Sequence, residues 1–213
     1  MAIATSLLSM YRNEPFLDRL ITGDEKWGPY ENVIRKRQGV SENEAPQAML
    51  KANLREKRIL LYVWWGRKGI IHYELLPRNE TVTAALYVQQ LARVQEKLEE
   101  KRPALVNRKG VMLLHDNARP HTARIAEEKI PDLKWSVLLH PPYSPDLVLT
   151  DNYLFRFLQS SLSGKKFNNN NEVREYIDTF IACKDPDFFA SGVDKLPDKW
   201  EKVIFNNGDY ILD

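Results

Sequence analysis

The chain has 213 residues, 43% hydrophobic and 28% charged, a balance that excludes disorder and fibre and allows one sizeable core or at most two small ones. Its longest apolar runs, such as Ile59 to Trp65, fall far short of the roughly 20 residues of a membrane span, Met1 to Met10 lacks the pattern of a secretory signal, and a single cysteine, Cys183, excludes an internal disulfide or a cysteine-based zinc site. A reducing, intracellular setting is the expectation, and the net charge of +2 hides a polarity: nine bases face three acids from Val33 to Lys68, whereas five face ten from Asn169 to Asp213.

In chain order, Tyr11 to Ile21 leads into Thr22-Gly23-Asp24-Glu25-Lys26-Trp27, read as the end of a first strand that Gly28-Pro29 breaks. Glu31 to Lys57 is polar, contains Pro46 and keeps no period, so it is expected as a long excursion from the sheet. Ile59 to Trp65 and Ile70 to Leu76 flank Gly66-Arg67-Lys68-Gly69, which predicts a hairpin. Ala84, Val88, Leu91, Val94 and Leu98 recur at helical spacing, predicting an amphipathic helix from Thr83 to Lys101, ended by Pro103. Val111 to Leu114 reads as a strand buried on both faces, with His115 and Asp116 at its carboxyl end. Pro120 is expected to open a helix reaching about Ile130, and Trp135 to Leu139 to form another buried strand. Pro141, Pro142 and Pro145 forbid regular structure. Thr150 or Asp151 then caps a helix whose Leu154, Phe157, Leu158 and Leu162 share one face. Further helices are expected around Glu172 to Ala182 and Pro197 to Phe205. The order suits an α/β fold, a mixed five-stranded sheet flanked by helices.

Asp24, Asp116 and Asp151 stand at strand and helix ends, where side chains are reachable. Three converging carboxylates repel one another unless a cation neutralises them. Oxygen-only ligands select magnesium or manganese over zinc, and two such ions suit in-line displacement at phosphorus. Glu25 follows Asp24 and so points to the opposite face of a strand, where a surface or ion-pair role is expected. His115 and His121 flank Asp116, but no further soft ligands are spaced to complete a zinc site; a structural or DNA-contacting role fits them better. Arg119 and Arg124 either touch phosphate or pair with Glu127 or Glu128. Trp64, Trp65 and Phe157 are read as core.

Three sequence words surround the aspartates: Thr22 to Trp27; His115-Asp116-Asn117-Ala118-Arg119-Pro120-His121-Thr122-Ala123; and His140-Pro141-Pro142-Tyr143-Ser144-Pro145-Asp146-Leu147 followed by Thr150-Asp151. Together they closely resemble the signatures of the mariner family of DNA transposases. The 34 residues between Asp116 and Asp151, with aspartate in third place, resemble mariner rather than its sister Tc1 group. The likeness extends to Tyr62-Val63-Trp64-Trp65, Tyr73-Glu74-Leu75-Leu76 and Lys195 to Lys202. It implies an RNase H-like fold of the integrase and transposase superfamily. It also implies Asp24, Asp116 and Asp151 as ligands of two magnesium or manganese ions, and metal-dependent DNA cleavage and strand transfer in cut-and-paste transposition. Further implications are DNA ends and target as partners, a homodimer in the synaptic complex, and a nuclear location.

By the same likeness, residues 1–20 would be the end of an interdomain linker with a short helix, and 21–213 the catalytic domain. The basic loop at about 31–57 would reach a partner subunit or its DNA through Arg35, Lys36 and Arg37, with Arg119, His121 and Arg124 as further DNA contacts. The segment Tyr143 to Leu147 matches a motif tied to synaptic assembly. The helix-turn-helix modules that such transposases carry in front are expected to be absent here, and sequence-specific end binding with them.

The sequence departs from the family pattern at Gly28-Pro29, where the first strand would stop early or be distorted, at Leu149 in place of proline, and at Asn152-Tyr153 in place of tyrosine-histidine. Two other functions compete: a domesticated or decayed domain acting only as a DNA- or protein-binding module, and an RNase H-type ribonuclease.

Overall fold

The computed structural model describes residues 1–29, 58–76, 80–141, 144 and 147–209. The excursion 31–57, with Arg35, Lys36 and Arg37, lies outside the described residues, as do Pro142, Tyr143, Pro145 and Asp146.

Five strands form one sheet: β1 (Leu20–Pro29), β2 (Arg58–Gly66), β3 (Gly69–Leu76), β4 (Val111–Leu114) and β5 (Trp135–Val137), in the order β3-β2-β1-β4-β5. β2 pairs antiparallel with β1 and β3, whereas β4 pairs parallel with β1 and β5. The expected mixed five-stranded sheet is therefore present. β1 does not stop early: its ladder with β2 runs on through Gly28 opposite Ile59 and Pro29 opposite Arg58. Proline is tolerated there because it closes the strand, where a missing N–H disturbs the ladder least.

Alternation along the strands divides two cores. Leu20, Ile59, Leu61, Val63, Trp65 and Leu114 face one side. Ile21, Leu60, Tyr62, Trp64, Val111 and Leu113 face the other. This explains why β2 and β4 read as continuous apolar runs: both of their faces are covered. The second core is closed by α2 (Ala84–Lys101) and α3 (Arg124–Asp132), through Tyr87, Leu91, Val94, Leu98, Ala126 and Ile130. The first core takes α1 (Ala2–Asn13), α4 (Arg156–Leu162), α5 (Asn170–Ala182), α6 (Pro186–Asp194) and α7 (Leu196–Phe205). α1 buries Ala4, Leu7 and Leu8 in that core.

Caps account for several boundaries. The Thr83 hydroxyl accepts from Leu86 N–H at 3.2 Å, Asn169 from Glu172 N–H at 3.0 Å, and Asp185 from Phe188 N–H at 2.7 Å. Each such cap stabilises its helix by about 1 kcal/mol. Two expectations shift. The helix after Pro120 starts only at Arg124, because His121 and Thr122 donate their N–H groups back to Ala118 O in a turn and Ala123 is extended. β5 is a short edge strand: Trp135 is buried, but Val137 is exposed and Leu139 beyond it is 65% exposed. Among the described residues no helix is long and apolar enough to cross a membrane.

Candidate active site

β1 delivers Asp24 and β4 delivers His115 and Asp116 to one small cleft, also lined by His140, Leu147 and Leu149. The close packing starts one residue earlier. A Cβ at Gly23 would meet the Trp64 indole at 2.5 Å, so only glycine lets the indole lie against the strand.

Asp24 Oδ1 accepts from Glu25 N–H at 2.8 Å, while its Oδ2 is buried and, among the described residues, has no hydrogen-bond partner. Burial, and then the charges of Asp151, Glu25 and Asp116, push the Asp24 carboxyl up to about 8. Among the described residues no cationic side chain is hydrogen-bonded to this acid to offset its charge when it ionises. An orphaned carboxylate oxygen beside further carboxylates fits a hard divalent cation.

Asp116 differs. His121 Nδ1 lies 2.6 Å from its Oδ1 and Ala118 N–H donates to the same oxygen at 3.0 Å. The hydrogen bond from His121 outweighs burial and holds this carboxyl below its usual range. His121 is 1% exposed, and its Nε2 is 2.7 Å from the Tyr62 hydroxyl. With both ring nitrogens engaged inside the protein, the expected DNA contact by His121 is corrected: it is a buried support for Asp116. Glu25 lies half-buried on that same inner side, its Oε2 3.9 Å from His121 Nε2, so of the two roles expected for it the structure gives the pairing one rather than the surface one. His115 is held by the Tyr87 hydroxyl at 3.1 Å, and burial lowers its imidazole to about 4.

Asp151 reaches the site by a different route. No capped helix begins at Thr150 or Asp151. Leu149 is already helical and Thr150–Phe155 form a π-helical turn running into α4. Thr150 is fully buried; its hydroxyl accepts from Trp65 Nε1–H at 3.1 Å and lies 3.5 Å from the Thr22 hydroxyl. That ties the turn to β1 and β2. Asp151 itself is half exposed at the rim, where Lys26 Nζ donates to its Oδ1 at 3.1 Å. Asp24 and Asp116 are thus brought together, with Asp151 close enough to act on Asp24 but engaged by Lys26. Among the described residues no group of three His, Cys, Asp or Glu side chains is gathered as a metal site.

Sequence reasoning gave Lys26 no part in the site, and read Thr150 only as a possible cap and Tyr153 only as a departure from the family pattern. Tyr153 stacks on Trp65, donates to Phe188 O at 2.8 Å and fits only because residue 192 is glycine, where a Cβ would meet its ring at 2.6 Å. The alternation of β1 puts Lys26 on the same face as Asp24, which was a usable signal; a π turn leaves none. Of the arginines, Arg119 is exposed, and Arg124, 85% exposed, has Glu128 at 3.4 Å. Phe157, expected in the core, is 46% exposed.

The strand order, with helices on both faces, one carboxylate midway along β1 and another just past the end of β4, is that of the RNase H-like nucleases and transposases. A family profile described as transposase (partial DDE domain) matches residues 29–108. The chain is 40% identical over 206 residues to the mariner Mos1 transposase of Drosophila mauritiana, covering 96% of this chain and 60% of that protein. It is 41% identical over 208 residues to the Homo sapiens histone-lysine N-methyltransferase SETMAR, covering 98% of this chain and 30% of that protein. It superposes on the catalytic domain of Mos1 mariner transposase with a TM-score of 0.83 at 37% identity, covering 99% of this chain and 93% of that one. For the Mos1 mariner paired end complex with Mn the TM-score is 0.93 at 39% identity, covering 99% and 62%. The chain belongs to the mariner family of DNA transposases and corresponds to its catalytic, DDE-type domain. It spans less than two thirds of the length of the two curated relatives.

Proposed function

We propose that this chain cuts DNA and transfers the cut strand with the help of divalent metal, as the catalytic part of a cut-and-paste transposase. The observation that carries the reading is the unpartnered, buried Oδ2 of Asp24 in a cleft shared with Asp116. Asp24, Asp116 and, once released from Lys26, Asp151 would hold magnesium or manganese. Two such ions would sharpen an attacking oxygen and stabilise the leaving one.

The remaining work belongs to the chain. His121 and Ala118 N–H fix the rotamer of Asp116, so its second oxygen is left for the ligand. Trp65 and Thr22 fix Thr150 and with it the start of the turn that carries Asp151. Lys26 stands in for a cation at Asp151, and must swing toward solvent or substrate phosphate for the third carboxylate to join the first two.

DNA, as transposon end and target, is the proposed substrate, bound in part by exposed Arg119 and Arg124. A homodimer is the proposed working assembly and the nucleus its location. Related structures include paired-end and strand transfer complexes of Mos1, which supports the DNA part of this reading. The test is nicking of supercoiled plasmid with manganese or magnesium. Wild type should nick, and Asp24→Asn should fall by at least about a thousandfold, the scale lost when one member of a catalytic unit is removed. A folded wild-type chain that nicks with neither metal sinks the proposal.

A second reading is favoured by two observations: the Lys26–Asp151 ion pair, and the likeness to a protein named as a histone methyltransferase. In it the domain binds DNA or protein without cutting, and DNA binding is salt-sensitive and indifferent to metal.

A further inference from the structure

The end of the sheet remote from the carboxylates carries a second charged cleft. Leu20 pairs with Met112 and Ile21 with Gly66, so the starts of β1 and β4 and the β2–β3 turn lie together there. The cleft measures about 520 Å³ and is lined by Lys68, Lys101, Arg102, Lys109 and Asp18, together with Ile70 and Pro103 to Leu105. That volume falls in the range of small-ligand pockets.

Four cations face one carboxylate, and that carboxylate is already taken: Arg67 holds Asp18 at 3.0 Å while gripping both oxygens of Asp194 at 2.9 and 3.0 Å. Two of the four are anchored by carbonyls instead of acids. Lys101 Nζ donates to Ile71 O at 2.9 Å and Arg102 Nη2 to Gly69 O at 3.0 Å. A carbonyl fixes a cation in place without cancelling its charge. Burial alone lowers the Arg102 guanidinium, with no carboxylate acting to raise it. The chain thus holds a half-buried guanidinium in a concave surface with no carboxylate hydrogen-bonded to it, and leaves its counter-charge to come from outside. Planar guanidinium and flexible ammonium groups together suit phosphate oxygens, the first bidentate and the second as point charges.

We propose that this cleft is an anion site for phosphate groups, supplied either by a free oligophosphate or by a nucleic-acid backbone, and held by Lys68, Lys101, Arg102 and Lys109. It is separate from the Asp24–Asp116 cleft and does not depend on DNA cutting there.

The test measures binding of inorganic tripolyphosphate by calorimetry and of a short labelled DNA duplex by anisotropy across salt concentrations. Lys68 and Lys109 are exposed, so Lys68→Glu/Lys109→Glu should fold as wild type. That double variant should weaken tripolyphosphate binding by at least about tenfold, while Lys202→Glu, a matched reversal on α7, changes it little. A loss for tripolyphosphate alone assigns the site to a free oligophosphate. If the duplex is the source, the variant also weakens duplex binding and lowers the slope of log K against log salt by about two. Unchanged affinity for both ligands in the double variant, or no binding of either by wild type, overturns the proposal.

Discussion

His121 Nδ1 grips one oxygen of Asp116 and its Nε2 meets the Tyr62 hydroxyl, so a single ring links a candidate metal ligand to the core of the sheet. Such supports typically account for about 10–100-fold in metal affinity or activity. His121→Ala should therefore raise the manganese concentration for half-maximal nicking by about 10–100-fold. His121→Asn, which keeps a donor near the Nδ1 position, should recover part of the loss. Equal activation curves for wild type and His121→Ala would show that Asp116 needs no such support. Sequence words located the aspartates and this histidine, but spacing along a chain carries no information on exposure. His121 was therefore readable as a DNA contact, although the fold turns its ring inward between Tyr62, Tyr87 and His115.

At the scale of elements, β3 and α2 are joined by a polar cluster that neither period nor propensity reveals. Glu74 on β3 is met by His72, by Gln90 at 3.1 Å and by Arg93 Nη2 at 2.9 Å. Burial would raise its carboxyl, but the hydrogen bonds from His72, Arg93 and Gln90 outweigh it and hold the group at about 2. A carboxylate depressed in the folded state adds stability above its unfolded value, near 4.5, and loses it as pH falls toward 2. Urea midpoints should therefore decline between about pH 5 and pH 2, and Glu74→Gln should be less stable at pH 7 yet show a shallower decline. Parallel declines for the two proteins would remove Glu74 as the cause.

The elements themselves were legible where burial is two-sided or periodic, as in β2, β4 and α2. They were misjudged where a tertiary contact decides: the ladder that carries β1 through Pro29, the turn that delays α3, and the edge position that exposes β5. α6 went unforeseen because Pro186 to Asp194 is too short to display a period, although Asp185 and Pro186 are sound start signals.

Across the molecule, the two ends of the described chain meet. α1 packs on α7, with Tyr11, Phe16 and Trp200 in one aromatic cluster and Arg12 2.7 Å from Glu201. The two contacts differ in weight. Trp200 is 2% exposed, so Trp200→Ala should cost about 3–5 kcal/mol in urea unfolding. Arg12 and Glu201 are both largely in water, so Arg12→Ala should cost under about 1 kcal/mol. Comparable losses from both would mean that the ends are held by charge rather than by packing. The first segment, readable from sequence as the tail of a linker, is thus bound into the core through its apolar face.

The π turn at Thr150–Phe155 has a consequence for how this site tolerates change in gene length. A π turn holds one residue more than an α turn of the same span, and one residue corresponds to about 100° of rotation about the helix axis. The buried Thr150 hydroxyl pins the start of the turn, while Leu154, Phe155 and Leu158 pin its exit into the core. Between those fixed points the surplus residue sets the direction in which Asp151 points. Loss of one codon there could leave every flanking contact in place and still swing the third carboxylate around the axis, a lesion that no list of substitutions would register.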